Sequence, residues 1–302
     1  MPTARGRLTT LAYRAGSCVA QLVPGSIATP AGRFIGRAAA PLLPAQRAMA
    51  ARHQARARSS ANGSGANGST VSGVFESYGR YWVEMLRLPG DVRAGVIPSL
   101  GRIEGFEHVT DGLAAGKGVI LALPHLGGWE WAGAWLADQG YDFLAVVERI
   151  EPPELLAWFA AQRAALGMEV VALGPDVSTR VLGALRDNRV VCLLSDRDIE
   201  GNGVEVEFFG ERTTLPGGPA TLALRTGATL LPAAVYFRPG RDHLGVVRPP
   251  VRVEREGRLR DDIARITQAL ARELELLIRA APEQWHLLQP NWPSDRGAST
   301  RR

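Results

Sequence analysis

The sequence predicts an α/β fold: one domain with a central, mostly parallel or mixed β-sheet flanked by helices, plus a helical segment ahead of it. Three observations predict it. From Gly101 onward, short apolar runs alternate with helical stretches, as they do where strands and crossover helices build a layered sheet. The 302 residues, 46% hydrophobic and 22% charged, supply ample core for one large domain. The chain ahead of Glu76 differs in kind, because it is basic and apolar and contains no acidic residue at all.

Residues 9–58 read as helices broken at Pro24, Pro30, Pro41 and Pro44, since proline lacks a backbone N–H and crowds the preceding turn. Arg5, Arg7, Arg14, Arg33, Arg37, Arg47, Arg52, Arg56 and Arg58 are interleaved with Leu8, Leu11, Val19, Leu22, Ile27, Phe34, Ile35, Leu42 and Leu43. Nine arginines in a chain of net charge +5 leave −4 for the remainder. A plain nucleic-acid arm would be less apolar, so the expected partner is an anionic membrane surface and not nucleic acid. No stretch approaches the roughly 20 uninterrupted apolar residues of a span, which makes the expected attachment peripheral or monotopic. Amphipathic helices that only pack on the main domain would show the same pattern.

Residues 59–73, rich in Ser, Gly and Asn, read as a flexible loop between helices at 1–58 and a domain at 74–302 that is continuous with them. A helix with Phe75, Tyr78, Tyr81, Trp82, Met85 and Leu86 on one stripe then runs to Pro89. Strands are expected at 103–109, 119–123, 143–147, 169–172, 190–195, 204–208, 229–237 and 244–247. Helices are expected at 111–116, 129–140, 153–167, 177–188, 218–227 and 260–281. No internal repeat appears. Cys18 and Cys192 are the only cysteines, far apart in sequence, which suits a reducing cytosolic setting and suggests neither a disulfide framework nor a cysteine-ligated zinc.

The most informative block is the apolar run 119–123, which delivers His125 and, five residues on, Glu130. Positions five apart in one continuous helix lie about 140° apart around the axis and cannot share a face. Gly127 and Gly128 relieve this by allowing a turn between strand and helix, so that a base and its orienter could converge. A packed core histidine on such a turn would present the same residues. The stretch Gly112 to Lys117 is not a nucleotide loop: its glycines are too close together, no Ser or Thr follows the lysine, and it precedes its strand.

Other candidates gather at strand ends, where ligand sites of open α/β sheets tend to lie. Asp196-Arg197-Asp198 follows the run at 190–194 and could hold a metal, bind a sugar hydroxyl or pair with arginines. Glu148-Arg149 closes another strand. Arg163, near a helix end, could grip a phosphate or form a structural ion pair. Gly217 and Gly218 open a helix whose free N–H groups could stabilise an oxyanion or phosphate.

In this order, the blocks resemble the lysophospholipid acyltransferase superfamily, in its bacterial branch with the lipid A late acyltransferases, and within that branch the phosphatidylinositol mannoside acyltransferases. The resemblance rests on the H-x4-E block within 119–133, Val147-Glu148-Arg149, Arg163 with Gly167-Met168, and Asp196-Arg197-Asp198. Leu215-Pro216-Gly217-Gly218-Pro219-Ala220 and Pro282-Glu283-Gln284-Trp285 complete it, so that it spans residues 75–292. The loop at 62–65 looks longer than the family's.

The resemblance implies attachment to the cytoplasmic membrane face, acyl-CoA as co-substrate, no metal or other cofactor, and a glycosylated inositol phospholipid as acceptor. It implies His125 and Glu130 as the catalytic pair, transferring a long, palmitoyl-like acyl chain to a mannose hydroxyl without a covalent intermediate. Glu148, Arg163, Asp196, Arg197 and Asp198 carry over as acceptor-site or structural residues, and Gly217 and Gly218 as substrate-binding ones. The competing readings are an acyltransferase with a lysophosphatidate or lipid A precursor acceptor, a metal-dependent glycosyltransferase using Asp196 and Asp198, and a non-catalytic lipid-binding protein.

Overall fold

The computed structural model describes residues 4–59 and 71–296, so most of the expected connector lies outside the described residues. Four helices come first: α1 (Ala4–Leu22), α2 (Gly25–Ala39), α3 (Pro44–Ser59) and α4 (Val71–Arg93). Pro24 precedes α2 and Pro44 opens α3, positions where a missing N–H costs little. Pro30 and Pro89 do not end their helices as expected. Each lies inside its helix and removes one intrahelical bond, and the buried face of α4 continues past Pro89 to Asp91.

Glycines set the crossing of α2 and α4. A Cβ on Gly36 would strike the Phe75 carbonyl, and one on Gly79 the Gly32 carbonyl, so the two backbones meet with no side chain between them. The opposite side of the first helices is left to solvent with Leu8, Leu22, Phe34 and Leu42 on it.

The remaining chain alternates strand and helix. In order come β1 (Gly101–Glu104), α5 (Glu107–Ala114), β2 (Val119–Leu123), α6 (Trp129–Asp138), β3 (Phe143–Val147), α7 (Pro153–Ala164) and β4 (Glu169–Ala172). Next are α8 (Val177–Arg186), β5 (Val190–Leu194), β6 (Val204–Phe208), β7 (Glu211–Leu215) and α9 (Gly218–Thr226). β8 (Thr229–Phe237), β9 (His243–Val247), α10 (Leu259–Ala280) and α11 (Pro293–Arg296) close the chain. Seven strands form one sheet in the order β1-β9-β8-β2-β5-β3-β4, parallel throughout except for the β8–β9 pair.

Two expectations about strands change. The strand expected at 103–109 stops at Glu104, because Gly105 turns the chain at φ 75° against the Val247 carbonyl and α5 begins at Glu107. β7 was not expected, since Glu211-Arg212-Thr213-Thr214-Leu215 carries one aliphatic residue and no apolar run. It pairs with β6 through a two-residue turn in which Phe209 and Gly210 both take positive φ, 54° and 76°.

Alternate residues of the sheet feed two cores, one on each face. Ile120, Leu144, Val191 and Leu230 pack with Leu274 and Ile278 of α10. Val119, Leu121, Phe143 and Val190 pack with Trp131 and Leu136 of α6. β2 is buried at all five positions, so the residues that leave its C-terminal end start from a rigid base.

The α2–α4 crossing makes a direct prediction. Gly36→Ala or Gly79→Ala should destabilise the protein by about 1–3 kcal/mol through overpacking, measured by denaturant unfolding; a wild-type midpoint would show that the helices can separate without cost.

Candidate active site

β2 and β5 lie side by side and parallel, with Leu123 opposite Leu194. Two residues beyond each partner stand His125 and Asp196. Equal overhang on paired parallel strands therefore brings these side chains together at the C-terminal edge of the sheet. His125 Nδ1 is 2.6 Å from Asp196 Oδ1, and the His125 backbone N–H donates to Asp196 Oδ2 at 3.1 Å. The Trp285 indole N–H donates to the same Oδ2 at 2.7 Å.

The Asp196 side chain is fully buried, while that of His125 is 25% exposed. Burial acts to lower the imidazole pKa, but the adjacent Asp196 charge and its hydrogen bond outweigh it and hold His125 above its ordinary value. Burial likewise acts to raise the carboxyl group of Asp196. The His125 charge and the donors from His125 and Trp285 overcome this and hold it below the usual range.

The turn after His125 is fixed by its backbone. Gly127 has φ 59°, and a Cβ there would strike the Val235 carbonyl. Its N–H donates to the Gln284 carbonyl at 3.0 Å, the Gly128 N–H to the Val235 carbonyl at 3.1 Å, and the His286 N–H to the His125 carbonyl at 2.7 Å. Gly127 thus makes the turn expected between strand and helix, but the turn does not bring Glu130 to His125.

The carboxylate on the imidazole is not the one expected. Glu130 sits in the first turn of α6, 4% exposed, and forms an ion pair with Arg163, whose Nε donates to Oε2 at 3.2 Å and whose Nη2 donates to Oε1. The Tyr81 hydroxyl donates to Glu130 Oε1 at 3.5 Å. Entry into α6 turns Glu130 toward α4 and α7, whereas His125 remains over the sheet edge beside β5. Of the two roles the sequence left open for Arg163, a phosphate grip or a structural ion pair, the structure shows the ion pair with Glu130, and the guanidinium lies 5.5 Å and 5.6 Å from the ring centres of Trp129 and Phe159.

The remaining expected residues separate into two groups. Glu148, Arg197, Asp198, Gly217 and Gly218 line one cavity of about 330 Å³ together with His125, with Arg197 Nη1 3.4 Å from Glu148 Oε2. Glu130 and Arg163 instead border a narrow cavity of about 60 Å³, walled by apolar residues such as Leu121, Phe143 and Met168. The two cavities share Val146 and Leu194. Asp196 and Asp198 do different work: Asp198 accepts the Gly201 and Gly203 N–H groups, both at 2.9 Å, and the Thr214 hydroxyl at 2.8 Å. Their donor sets suit a base-orienting carboxylate and a loop organiser, and among the described residues no group of three or more His, Cys, Asp or Glu side chains could hold a metal ion.

Sequence reasoning also left Trp285 without a role and passed over His286. Both follow α10 with no periodic pattern around them, and only their contacts with residues 125–127 and 196 reveal them.

A mostly parallel sheet carries a His–Asp pair at its C-terminal edge, beside one polar-rimmed and one apolar cavity. The chain belongs to the bacterial lipid A biosynthesis acyltransferase family, which it matches over residues 5–294. It is similar to the phosphatidylinositol mannoside acyltransferase of Mycobacterium tuberculosis, 45% identical over 231 residues that cover 75% of this chain and 71% of that protein. A protein of the same name from Mycolicibacterium smegmatis is 40% identical over 228 residues, 74% of this chain and 73% of that one.

Removing one partner of the Glu130–Arg163 pair leaves a charge buried alone. Arg163→Ala should cost about 3–5 kcal/mol in denaturant unfolding, and a loss below about 1 kcal/mol would mean that the pair behaves as a surface contact.

Proposed function

We propose that this protein transfers a long, palmitoyl-like acyl group from acyl-CoA to a mannose hydroxyl of a phosphatidylinositol mannoside, with His125 as general base and Asp196 as its orienter. The observation that carries this reading is the His125–Asp196 pair, whose imidazole lines the 330 Å³ cavity while its carboxylate lies buried behind it, in a chain whose relatives bear that name.

With Nδ1–H donated to Asp196, Nε2 carries the lone pair. The mannose hydroxyl gives its proton to Nε2 as its oxygen attacks the thioester carbonyl carbon, forming the C–O bond and an oxyanion. Collapse breaks the C–S bond, and the thiolate takes the proton from the imidazolium. Asp196 remains anionic throughout and stabilises the imidazolium when it forms. The thioester is already activated, so the route requires neither a metal nor an acyl-enzyme. Cys192 does not compete as a nucleophile, because burial pushes its thiol up to about 12.

The cavity walls suit these substrates. Glu148, Arg197 and Asn202 offer polar groups to sugar hydroxyls at the rim, while Val146, Leu193 and Leu222 make the interior apolar. The narrower apolar cavity across the sheet edge is suited to a hydrocarbon chain. The larger cavity extends to Arg225, which also borders a neighbouring depression with Lys117 and Arg186. Three cations with no ion-pair partner among the described residues favour a phosphorylated donor such as CoA.

Attachment is peripheral, on the cytoplasmic face of the membrane. Leu22, Phe34 and Leu42 are 84%, 72% and 79% exposed, and Arg14 and Arg47 are exposed on the same helical segment. Apolar side chains beside arginines favour an anionic lipid surface. Among the described residues no helix is long and apolar enough to cross a membrane.

Three outcomes test the proposal. His125→Ala should lower transfer from long-chain acyl-CoA to a phosphatidylinositol mannoside by roughly 10²–10⁴-fold, and near-normal turnover would remove His125 from the mechanism. A base must be neutral to accept a proton, and Asp196 raises the His125 pKa. The acid limb of kcat/KM should therefore lie above the ordinary histidine value of about 6.5, and a limb below it would contradict the pairing. In vesicle sedimentation, Leu22→Glu with Phe34→Glu should abolish binding to anionic vesicles while thermal unfolding stays unchanged; undiminished binding would place the membrane contact elsewhere.

A further inference from the structure

The residues Gln284, Trp285 and His286 reach both members of the pair at once. The Gln284 carbonyl accepts the Gly127 N–H, and the His286 N–H donates to the His125 carbonyl. Between these two backbone bonds, Trp285 directs its indole N–H to Asp196 Oδ2. The segment is anchored at its other side: Gln284 Oε1 accepts the Phe237 N–H at 2.6 Å, and Gln284 Nε2 donates to the Phe237 carbonyl at 3.0 Å. The Trp285 ring is 1% exposed and packs against His53, Phe208, Phe209 and Trp292. It cannot tilt away from Asp196 without displacing that cluster.

We infer that Trp285 is a positioning residue for the transfer reaction, its indole N–H fixing the rotation of the Asp196 carboxylate so that Oδ1 faces His125 Nδ1. The inference rests on the reading of His125 and Asp196 as base and orienter. A carboxylate buried on all sides has no water to replace a lost donor, so its orientation depends on the groups that bond to it. Trp285 borders neither substrate cavity, which places its effect on the chemical step and not on substrate affinity.

Trp285 also affects the charge of the pair. The N–H dipole favours the form with net negative charge, neutral imidazole with carboxylate, over the form in which the imidazole has gained a proton. Its loss lets the pair hold that proton more tightly. The other charged and titratable groups around His125 remain in place: Arg197 and Glu148 across the cavity, and His286, which burial and the nearby His125 hold down at about 3 and therefore neutral.

Two replacements test this, Trp285→Phe and site-specific exchange of Trp285 for its benzothiophene analogue, which keeps the ring shape and lacks the N–H. The analogue preserves packing if the phenylalanine variant unfolds. Acyl transfer from palmitoyl-CoA should show kcat reduced about tenfold or more, KM unchanged, and the acid limb of kcat/KM moved to higher pH. His125→Ala is measured in parallel. If it stays active, the base assignment fails and the inference falls with it. If His125→Ala is inactive while the benzothiophene variant keeps the wild-type kcat and acid limb, the base stands and the positioning role is overturned. A fall in kcat with an unmoved limb, or a rise in KM, would assign Trp285 to packing alone and overturn it equally.

Discussion

A buried carboxylate at the edge of the sheet constrains everything around it. None of the Asp196 side chain meets solvent, and an unpaired charge in such a place would cost on the order of several kcal/mol. The fold supplies three donors to it, two from His125 and one from Trp285. The Asp196 carbonyl is bonded in turn, by the Asn291 side-chain amide at 2.9 Å. These groups come from the end of β2 and from the chain beyond α10, and they meet only in the complete fold. Satisfying Asp196 and aligning His125 are thus one structural requirement, met by the same bonds.

The helices ahead of the sheet contribute indirectly. In α3, the His53 Nδ1 is 2.8 Å from the Leu287 carbonyl, and Gln54 donates to the Pro282 carbonyl. In α4, the Ser77 hydroxyl is 2.8 Å from His286 Nε2. Both helices therefore grip residues 282–287, the segment that bonds to His125 and Asp196. In α11, Asp295 is surrounded by His53, Arg56 and backbone N–H groups of Asn291 and Trp292, which hold its carboxyl group well below the usual range against the opposing effect of burial. The basic, partly apolar helical layer is tied through this stretch of chain to the sheet edge that carries His125 and Asp196.

His125 was legible in the sequence because its signals are local: an apolar run ends, a histidine follows, and two glycines free the turn. Asp196 had an equivalent signal at the end of its own run. Its partnership with His125 did not, because it depends on β2 and β5 being neighbours, and chain order places β3 and β4 between them. Nearness in sequence favoured Glu130, five residues from His125, over Asp196, 71 residues away. The physical outcome went the other way, since the helix turns Glu130 toward Arg163 while sheet register carries Asp196 to the imidazole. The alternating pattern was sufficient for the parallel sheet and most strand limits, but β7, polar and held by its turn, offered no apolar run to find.

Asp196, and not Glu130, is the carboxylate on His125. Titration of the His125 imidazole by nuclear magnetic resonance, in the wild type and in Asp196→Asn and Glu130→Gln variants, tests it most directly. The structure predicts a raised His125 pKa that falls in Asp196→Asn and stays in place in Glu130→Gln. A His125 pKa that moved with Glu130 and ignored Asp196 would contradict the account.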